Sequence, residues 1–178
     1  MTTRTRILSL VFVAVVASLG ALMAQAQKKP AAPSPAQKKA PIAYPAYPND
    51  PRHWRHVKTM VIFSSDNKLN DRFPGLHNVY VNDKGWPAFK TGKLFPEGSM
   101  LALELYGIYN SPGAIEGRGL KATYVMLKNA KLYADTGGWG FEVFQGNDTT
   151  PTLKDMKECW DCHKVGKSRD YVKSEYMQ

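Results

Sequence analysis

Three residues near the C-terminus have the types and the spacing for covalent cofactor chemistry: Cys159, Cys162 and His163 form a CxxCH motif. Two thiols at this spacing add to the two vinyl groups of one porphyrin, and the adjacent imidazole becomes the proximal ligand of the iron. The motif therefore predicts haem c (iron), covalently attached, one per chain. Cys159 and Cys162 are the predicted anchors, and His163 is the predicted metal ligand.

Three other uses of a cysteine pair fit the sequence less well. A zinc site needs two further ligands, but the chain has only two cysteines, and His53, His56 and His77 lie far upstream of them. A thioredoxin-type dithiol lies at the first junction of a βαβ unit rather than near the end of a chain. A disulfide across so short a loop removes little chain entropy and leaves His163 without a role. The redox dithiol is the main alternative to haem.

The N-terminus predicts export. Arg4 and Arg6 precede an apolar run over residues 7–22, and residues 24–26 read Ala-Gln-Ala, which is typical of a cleavage site. We therefore expect residues 1–26 to be a signal peptide and the protein to be periplasmic, which is where c-type haem is attached. An uncleaved segment would tether the protein to the membrane, although the run is short for a membrane span.

The rest of the chain divides into a linker and one domain. Residues 27–51 are rich in Pro, Ala and Lys, a composition that favours extended polyproline conformation and cannot bury a core. Residues 52–178 have the length of a single domain with one core. Without residues 1–26, 22 Lys and Arg face 15 Asp and Glu, a net charge of about +7, and this mildly basic balance favours acidic redox partners or anionic lipid. No basic helix or aromatic-basic motif indicates nucleic-acid binding.

The domain is predicted to be α+β and mainly β, with an antiparallel sheet, a few short helices and a C-terminal haem-attachment segment. Runs of β-branched and aromatic residues bounded by turn residues predict five strands, at 57–64, 78–82, 99–108, 120–129 and 139–145. Helices are predicted at 83–91, capped by Asp83, and at 150–158, where Thr150 and Pro151 resemble a cap and first turn. Glycines are predicted to break the strands at Gly113, Gly117, Gly119, Gly137 and Gly138.

Several short segments of the domain have a characteristic order and spacing. They are Asn78-Val79-Tyr80-Val81-Asn82, Phe89-Lys90-Thr91-Gly92, Phe95-Pro96-Glu97-Gly98-Ser99, Glu104-Leu105, Gly137-Gly138-Trp139-Gly140-Phe141 with Phe144, and the CxxCH motif. In this arrangement the chain resembles the cytochrome P-460 family and its relative, the beta-type cytochrome c-prime. The resemblance implies an antiparallel sheet, one haem c per subunit with a histidine ligand and an open distal side, a homodimer, and a bacterial periplasmic setting.

Leu103 occupies a position that separates the two branches of this family. Hydroxylamine-oxidising members carry a Lys there that is cross-linked to the porphyrin edge, and an aliphatic side chain cannot make that bond. The corresponding strand in this chain reads Met-Leu-Ala-Leu-Glu-Leu over residues 100–105. Leu103 therefore argues against a hydroxylamine or nitric oxide oxidoreductase, unless Lys121 or Lys128 on the neighbouring strand reaches the ring.

Strand alternation places Leu101, Leu103 and Leu105 on one face of the predicted strand. If this face lines the haem, hydrocarbon covers the sixth position of the iron and favours neutral diatomic ligands such as NO and CO over water or anions. The same leucines are also typical of an ordinary core. The alignment with the family favours Leu103 as a cofactor-binding residue.

Three polar residues have both a functional and an ordinary interpretation. Glu104 is a candidate catalytic proton acceptor for substrate oxidation, whereas a solvent-facing glutamate is the commoner case on such a strand. His77 could be a sixth iron ligand or a hydrogen-bonded surface or turn residue. Arg118, in a glycine-rich stretch, could lie near a haem propionate or a dimer edge, or in a solvated loop.

These observations favour a periplasmic mono-haem cytochrome with a five-coordinate iron that binds NO or CO or handles nitrogen oxides. The first alternative is a hydroxylamine-oxidising enzyme of the P-460 type, and the second is a simple electron carrier. The expected partners are a small diatomic or nitrogen-oxide ligand, a redox partner cytochrome and a second copy of the chain, with no nucleic acid.

Overall fold

The computed structural model describes residues 43–176, which form an antiparallel five-stranded sheet with a few short helices. The sheet is a meander, because each strand pairs with the next one along the chain, in the order β1-β2-β3-β4-β5. Within this part of the chain, no helix is both long and apolar enough to cross a membrane. The strands are β1 Arg55–Ile62, β2 Gly75–Val81, β3 Met100–Ser111, β4 Ala114–Lys128 and β5 Trp139–Gln145. The helices are α1 Trp86–Thr91 and α2 Lys157–His163, with 3-10 turns at Pro51–His53, Ala134–Thr136 and Lys164–Arg169.

The predicted fold class and all five predicted strands are confirmed, but β3 and β4 are longer than expected. They continue into a hairpin that turns at Gly113, which has a φ of 77°. The prediction that Gly117 and Gly119 break the chain is wrong, since both lie within β4, where the hairpin is exposed and a missing side chain costs little packing. Arg118 is therefore a strand residue rather than a loop residue, and its guanidinium lies 4.4 Å from the ring centre of Tyr109.

Helix α1 starts later than the sequence predicts. Asp83 does not cap it, because the side chain of Asp83 is 92% exposed and faces Arg55. Instead, the side-chain oxygen of Asn82 accepts a hydrogen bond from the amide of Gly85, at 3.0 Å. The helix therefore begins at Trp86, where the chain has already turned away from β2.

The helix predicted at residues 150–158 is also misplaced. Pro151 pairs with Phe144 as an isolated β-bridge, so the chain still runs along the edge of β5 at this point. The cause is a contact with the preceding strand, because the carboxyl of Glu142 on β5 accepts hydrogen bonds from the amides of Thr152 and Leu153. Helix α2 begins only at Lys157, whose amide donates to the side chain of Asp155 at 2.8 Å.

The two faces of the sheet carry different side chains. We call one the motif face, because Cys159 packs against it; the register between strands places Val79, Leu101, Leu103, Met126 and Phe141 on this face. Helix α1 contributes Ala88 and Phe89 to the same core. The other side is the opposite face, which carries Ala102, Glu104, Thr123, Val125 and Phe144.

The last part of the predicted linker lies against the domain. The hydroxyl of Tyr44 donates to the carbonyl of Lys154 at 3.0 Å, and the ring of Tyr47 packs edge-on against Phe144, with ring centres 5.0 Å apart. The three prolines of this stretch that are buried are Pro45, Pro48 and Pro51. The predicted signal peptide and residues 27–42 lie outside the described residues.

Candidate haem-attachment site

Helix α2 carries the whole CxxCH motif within two turns. Cys159 and Cys162 lie three residues apart, so both thiols project from the same side of the helix. Both thiols are free, with Cys159 packed against the motif face and Cys162 exposed. Two reduced thiols side by side on one helix face are the donors that a covalently held porphyrin requires.

The electrostatics of Cys159 disfavour a redox dithiol. Burial raises the pKa of the Cys159 thiol to about 11, and the neighbouring Glu158 carboxylate acts in the same direction. Reactive redox cysteines have a lowered pKa, because the thiolate is the nucleophile in disulfide exchange. Arg72, whose Nη1 lies 4.0 Å from Cys162 Sγ, opposes this shift without reversing it. Cys159 is therefore a protonated thiol near neutral pH.

His163, the last residue of α2, has one ring nitrogen engaged by the backbone. Its Nδ1 lies 2.8 Å from the carbonyl oxygen of Tyr171. Because a carbonyl only accepts, Nδ1 carries the proton and Nε2 keeps a lone pair for a metal. Burial lowers the pKa of His163, so the ring is neutral near pH 7. The ring of Phe141 lies beside it, with centres 5.1 Å apart. This is the arrangement by which proteins orient a histidine ligand.

The chain after α2 is shaped so that the Tyr171 carbonyl reaches His163. The 3-10 turn ends at Asp170, and both Asp170 and Tyr171 have positive φ, at 49° and 66°. The amide of Tyr171 donates to the carbonyl of Gly166 at 2.8 Å, which closes the turn. The Tyr171 ring also packs edge-on against Trp160.

Gly137 makes room for this packing. A Cβ at Gly137 would lie 2.5 Å from the Tyr171 ring and 2.7 Å from the Trp160 ring. Its φ of 65° also disfavours any other residue. The Gly-Gly turn before β5, which the sequence marked only as a strand break, thus supports the proximal side of the site.

Neither lysine that the sequence offered as a cross-linking candidate has a free amine. Lys128 Nζ lies 2.7 Å from Asp170 Oδ1 in a buried ion pair. Lys121 Nζ donates to the carbonyl of Pro74 at 3.0 Å. Each amine is therefore held by another group of the protein, whereas a bond to the porphyrin edge would require a free amine.

Leu103 lies on the motif face and packs against the core that includes Cys159. Its neighbours in register are Val79 on β2 and Tyr124 on β4. Sequence reasoning missed Tyr124. Its pairing with Leu103 depends on the register between β3 and β4, which the sequence does not give. Burial raises the pKa of the Tyr124 phenol, and the nearby Cys159 raises it further. This part of the motif face is therefore mainly hydrocarbon with one phenol.

Glu104 lies on the opposite face of the sheet, so the sheet separates it from the motif. The expectation that it faces solvent is wrong, because it is only 2% exposed. The hydroxyl of Tyr106 donates to Glu104 Oε2 at 2.6 Å, and Arg52 Nε lies 4.0 Å from Oε1. Among the described residues, Glu104 thus contacts Tyr106 and Arg52 and not the CxxCH motif.

His77 is buried in β2, which corrects the expectation of a surface or turn histidine. Its Nε2 donates to the carbonyl of Phe73 at 2.7 Å, and burial lowers its pKa. Nε2 is therefore hydrogen-bonded to the backbone, and Nδ1 is the ring nitrogen that keeps a lone pair.

Two comparisons with known proteins bear on this site. The model of the family described as Cytochrome P460 matches residues 48–174, which include all five strands, α2 and the turn that holds His163. A search of curated proteins gave no match.

Proposed function

Because the chain belongs to the cytochrome P460 family, it is a haem-binding cytochrome, and we propose that it is a periplasmic c-type cytochrome that binds NO or CO at a five-coordinate iron. The observation that carries this proposal is the arrangement of α2. It presents two free thiols on one side and, at its end, a neutral histidine whose Nδ1 is bonded to the Tyr171 carbonyl.

The residues present fit a covalently held haem. Cys159 and Cys162 would hold the porphyrin through thioether bonds, and His163 Nε2 would bind the iron. Bound in this way, the haem supplies an iron with one coordination position left for an exogenous ligand. The protein orients the imidazole, packs Phe141 beside it and half-buries Cys159 against the motif face.

The hydrocarbon near Leu103 supports neutral diatomic ligands. Leu103 and Val79 offer no hydrogen bond to a bound anion or water, so a polar ligand would lose hydration without compensation. Tyr124, the register partner of Leu103 on β4, adds a phenol beside this hydrocarbon.

Neither alternative has an observation in its favour. A cross-linked hydroxylamine oxidase needs a lysine at the ring, but Leu103 is aliphatic and the amines of Lys121 and Lys128 are engaged. An electron carrier needs a strong sixth ligand; the ring of His77 is held by a hydrogen bond from Nε2 to the Phe73 carbonyl, and sharp low-spin bands would show that its Nδ1 binds the iron. A redox partner cytochrome, a homodimer and the periplasmic location belong to the proposal, and the predicted signal peptide and the resemblance to the family support them.

The test is the absorption spectrum of the protein purified from cells that mature c-type cytochromes. We expect a high-spin ferrous spectrum that changes on addition of NO or CO. A strongly red-shifted Soret band would indicate a cross-linked porphyrin, and sharp low-spin α and β bands would indicate a sixth protein ligand; either result contradicts the proposal.

Two sets of variants sharpen this test. Cys159→Ala with Cys162→Ala should abolish haem staining on a denaturing gel, whereas Asp161→Ala, at an exposed position between them, should retain it. Leu103→Ala should change NO or CO affinity by about tenfold, which is the lower end for an altered apolar pocket. Leu105→Ala is the control, because Leu105 lies on the same face but is more buried than Leu103, at 4% exposure. This variant should lower stability and leave ligand affinity unchanged.

A further inference from the structure

A buried ion pair lies directly behind the peptide that holds His163. Lys128 Nζ and Asp170 Oδ1 are 2.7 Å apart, and their side chains are only 10% and 4% exposed. The second oxygen of Asp170 accepts from the amide of Phe95 at 3.0 Å. The ammonium of Lys128 also lies 5.0 Å from the ring centre of Trp139. The pair thus joins the end of β4 and the start of β5 to the turn after α2.

This pair fixes a backbone conformation that is unfavourable by itself. Asp170 and Tyr171 are consecutive non-glycine residues with positive φ, and the left-handed region is unfavourable for both of them. Such residues persist where the surroundings impose them, often at functional sites. Here the side chain of Asp170 is held by two donors, and its carbonyl accepts from Trp139 Nε1 at 2.7 Å. The next carbonyl along the chain, that of Tyr171, is thereby turned toward His163 Nδ1.

We propose that Lys128 and Asp170 are positioning residues that set the hydrogen bond between Tyr171 and His163 and so tune the strength of His163 as an iron ligand. This inference rests on the proposed function, because it requires His163 to bind haem iron. A strong hydrogen bond from Nδ1 raises the basicity of a ligating imidazole, and a more basic ligand favours the ferric state. Removing the pair loosens the carbonyl and weakens the ligand.

Stability alone gives a poor account of this pair. Burying two charges carries a desolvation cost, and apolar residues of similar volume are often equally or more stabilising. The pair differs in this respect from the exposed pairs of Asp161 with Lys157 and Lys164 on the outer side of α2. Its distinguishing feature is its contact with the turn that carries the Tyr171 carbonyl.

The experiment compares haem-loaded wild type with the double variant Lys128→Met, Asp170→Asn. Asparagine keeps an acceptor for the Phe95 amide and tolerates positive φ, so the turn can form without the ion pair. The matched control is Lys121→Met, which removes a lysine from the same strand at an exposed position. The readouts are haem staining on a denaturing gel, the Fe–His stretching frequency of the ferrous protein by resonance Raman, and the midpoint potential.

We expect the double variant to retain haem staining, to show a lower Fe–His stretching frequency and to have a higher midpoint potential. Outer-shell partners of metal ligands are typically worth at least tenfold, and a tenfold change in a one-electron equilibrium is about 59 mV. The control should match wild type in all three readouts.

Trp139→Phe provides a second way to loosen the Tyr171 carbonyl if the double variant does not fold. It keeps an aromatic ring but removes the indole donor to the neighbouring Asp170 carbonyl. It should therefore shift the Fe–His stretching frequency and the midpoint potential in the same directions, but by less. Unchanged stretching frequency and potential in stained protein would overturn the inference and leave the proposed function intact. Absence of haem staining in wild type would instead overturn the proposed function.

Discussion

The motif face and the opposite face of the sheet are built from the same strands, yet they bury different chemistry. On the motif face, Leu101, Leu103 and Phe141 pack with α2 and the turn after it. On the opposite face, Glu104 and Thr123 are buried beside Ala102, with Arg52 of the N-terminal segment near the glutamate. Around Leu103 the motif face is thus mainly apolar, whereas the carboxylate of Glu104 is buried behind the sheet.

The comparison shows that neighbours in sequence need not share a site. Leu103 and Glu104 are adjacent, but strand alternation directs them to opposite sides of the sheet. Lys128 and Asp170 are far apart in sequence and meet directly. We therefore expect changes near Leu103 and the Tyr171 turn, on the motif face, to alter the haem spectrum, and changes on the opposite face to alter stability alone.

The largest effect is expected from Gly137→Ala, on the side of the motif face. Positive φ costs alanine about 1–2 kcal/mol, and the clash with the Tyr171 and Trp160 rings adds about 1–3 kcal/mol. The matched control is Gly113→Ala, which has a similar φ but no atom within 4 Å of the added Cβ. Urea unfolding should show the larger loss for Gly137→Ala, together with a shift in the haem spectrum. Equal losses for both variants would mean that Gly137 does not support the Tyr171 turn.

A smaller effect is expected from Tyr106→Phe, on the opposite face. The variant removes the donor to Glu104 and leaves a buried carboxyl oxygen without it, at a cost of about 1–3 kcal/mol. Urea unfolding measures this cost, and Tyr109→Phe in the exposed hairpin is the control. The haem spectrum and CO affinity should stay at wild-type values. A spectral change in Tyr106→Phe would break the separation between the two faces.

The regular parts of this fold could be predicted because they depend on local patterns. Runs of β-branched and aromatic residues between turn residues located all five strands, and the CxxCH spacing predicted a haem protein, which agrees with the family, without any knowledge of the fold. Strand alternation placed Leu101, Leu103 and Leu105 on one face, as the register shows. Each of these inferences needs only the period of a strand or the chemistry of a short motif.

The errors arose where a contact outside the local segment decides the local structure. The predicted helix after Thr150 is replaced by an edge segment because Glu142, on the preceding strand β5, accepts hydrogen bonds from the amides of Thr152 and Leu153. Positive φ at Asp170 and Tyr171 has no signal in a sequence without glycine there. The partner of Lys128 could not be predicted either, since charge pairing over such a separation depends on how the turn folds back.

The smallest effect is expected from the protonation of His77, a buried histidine on the motif face. His77 lies on the motif face, buried, with its pKa lowered below 6.5 by desolvation. Between the folded pKa and 6.5 the unfolded chain binds more protons than the folded one, so stability falls as pH falls through this window. One proton limits the slope to about 1.4 kcal/mol per pH unit.

The variant that isolates this contribution is His77→Gln, which keeps an N–H donor for the Phe73 carbonyl but does not titrate. Urea unfolding of the haem-loaded proteins between pH 5 and 7 measures the difference, because carboxylates on both faces contribute equally to wild type and variant. We expect wild type to lose stability relative to His77→Gln as the solution is acidified below about pH 6.5. Parallel pH profiles would mean that His77 takes up its proton in the folded protein without cost, and the motif face would then be more hydrated around β2 than its burial indicates.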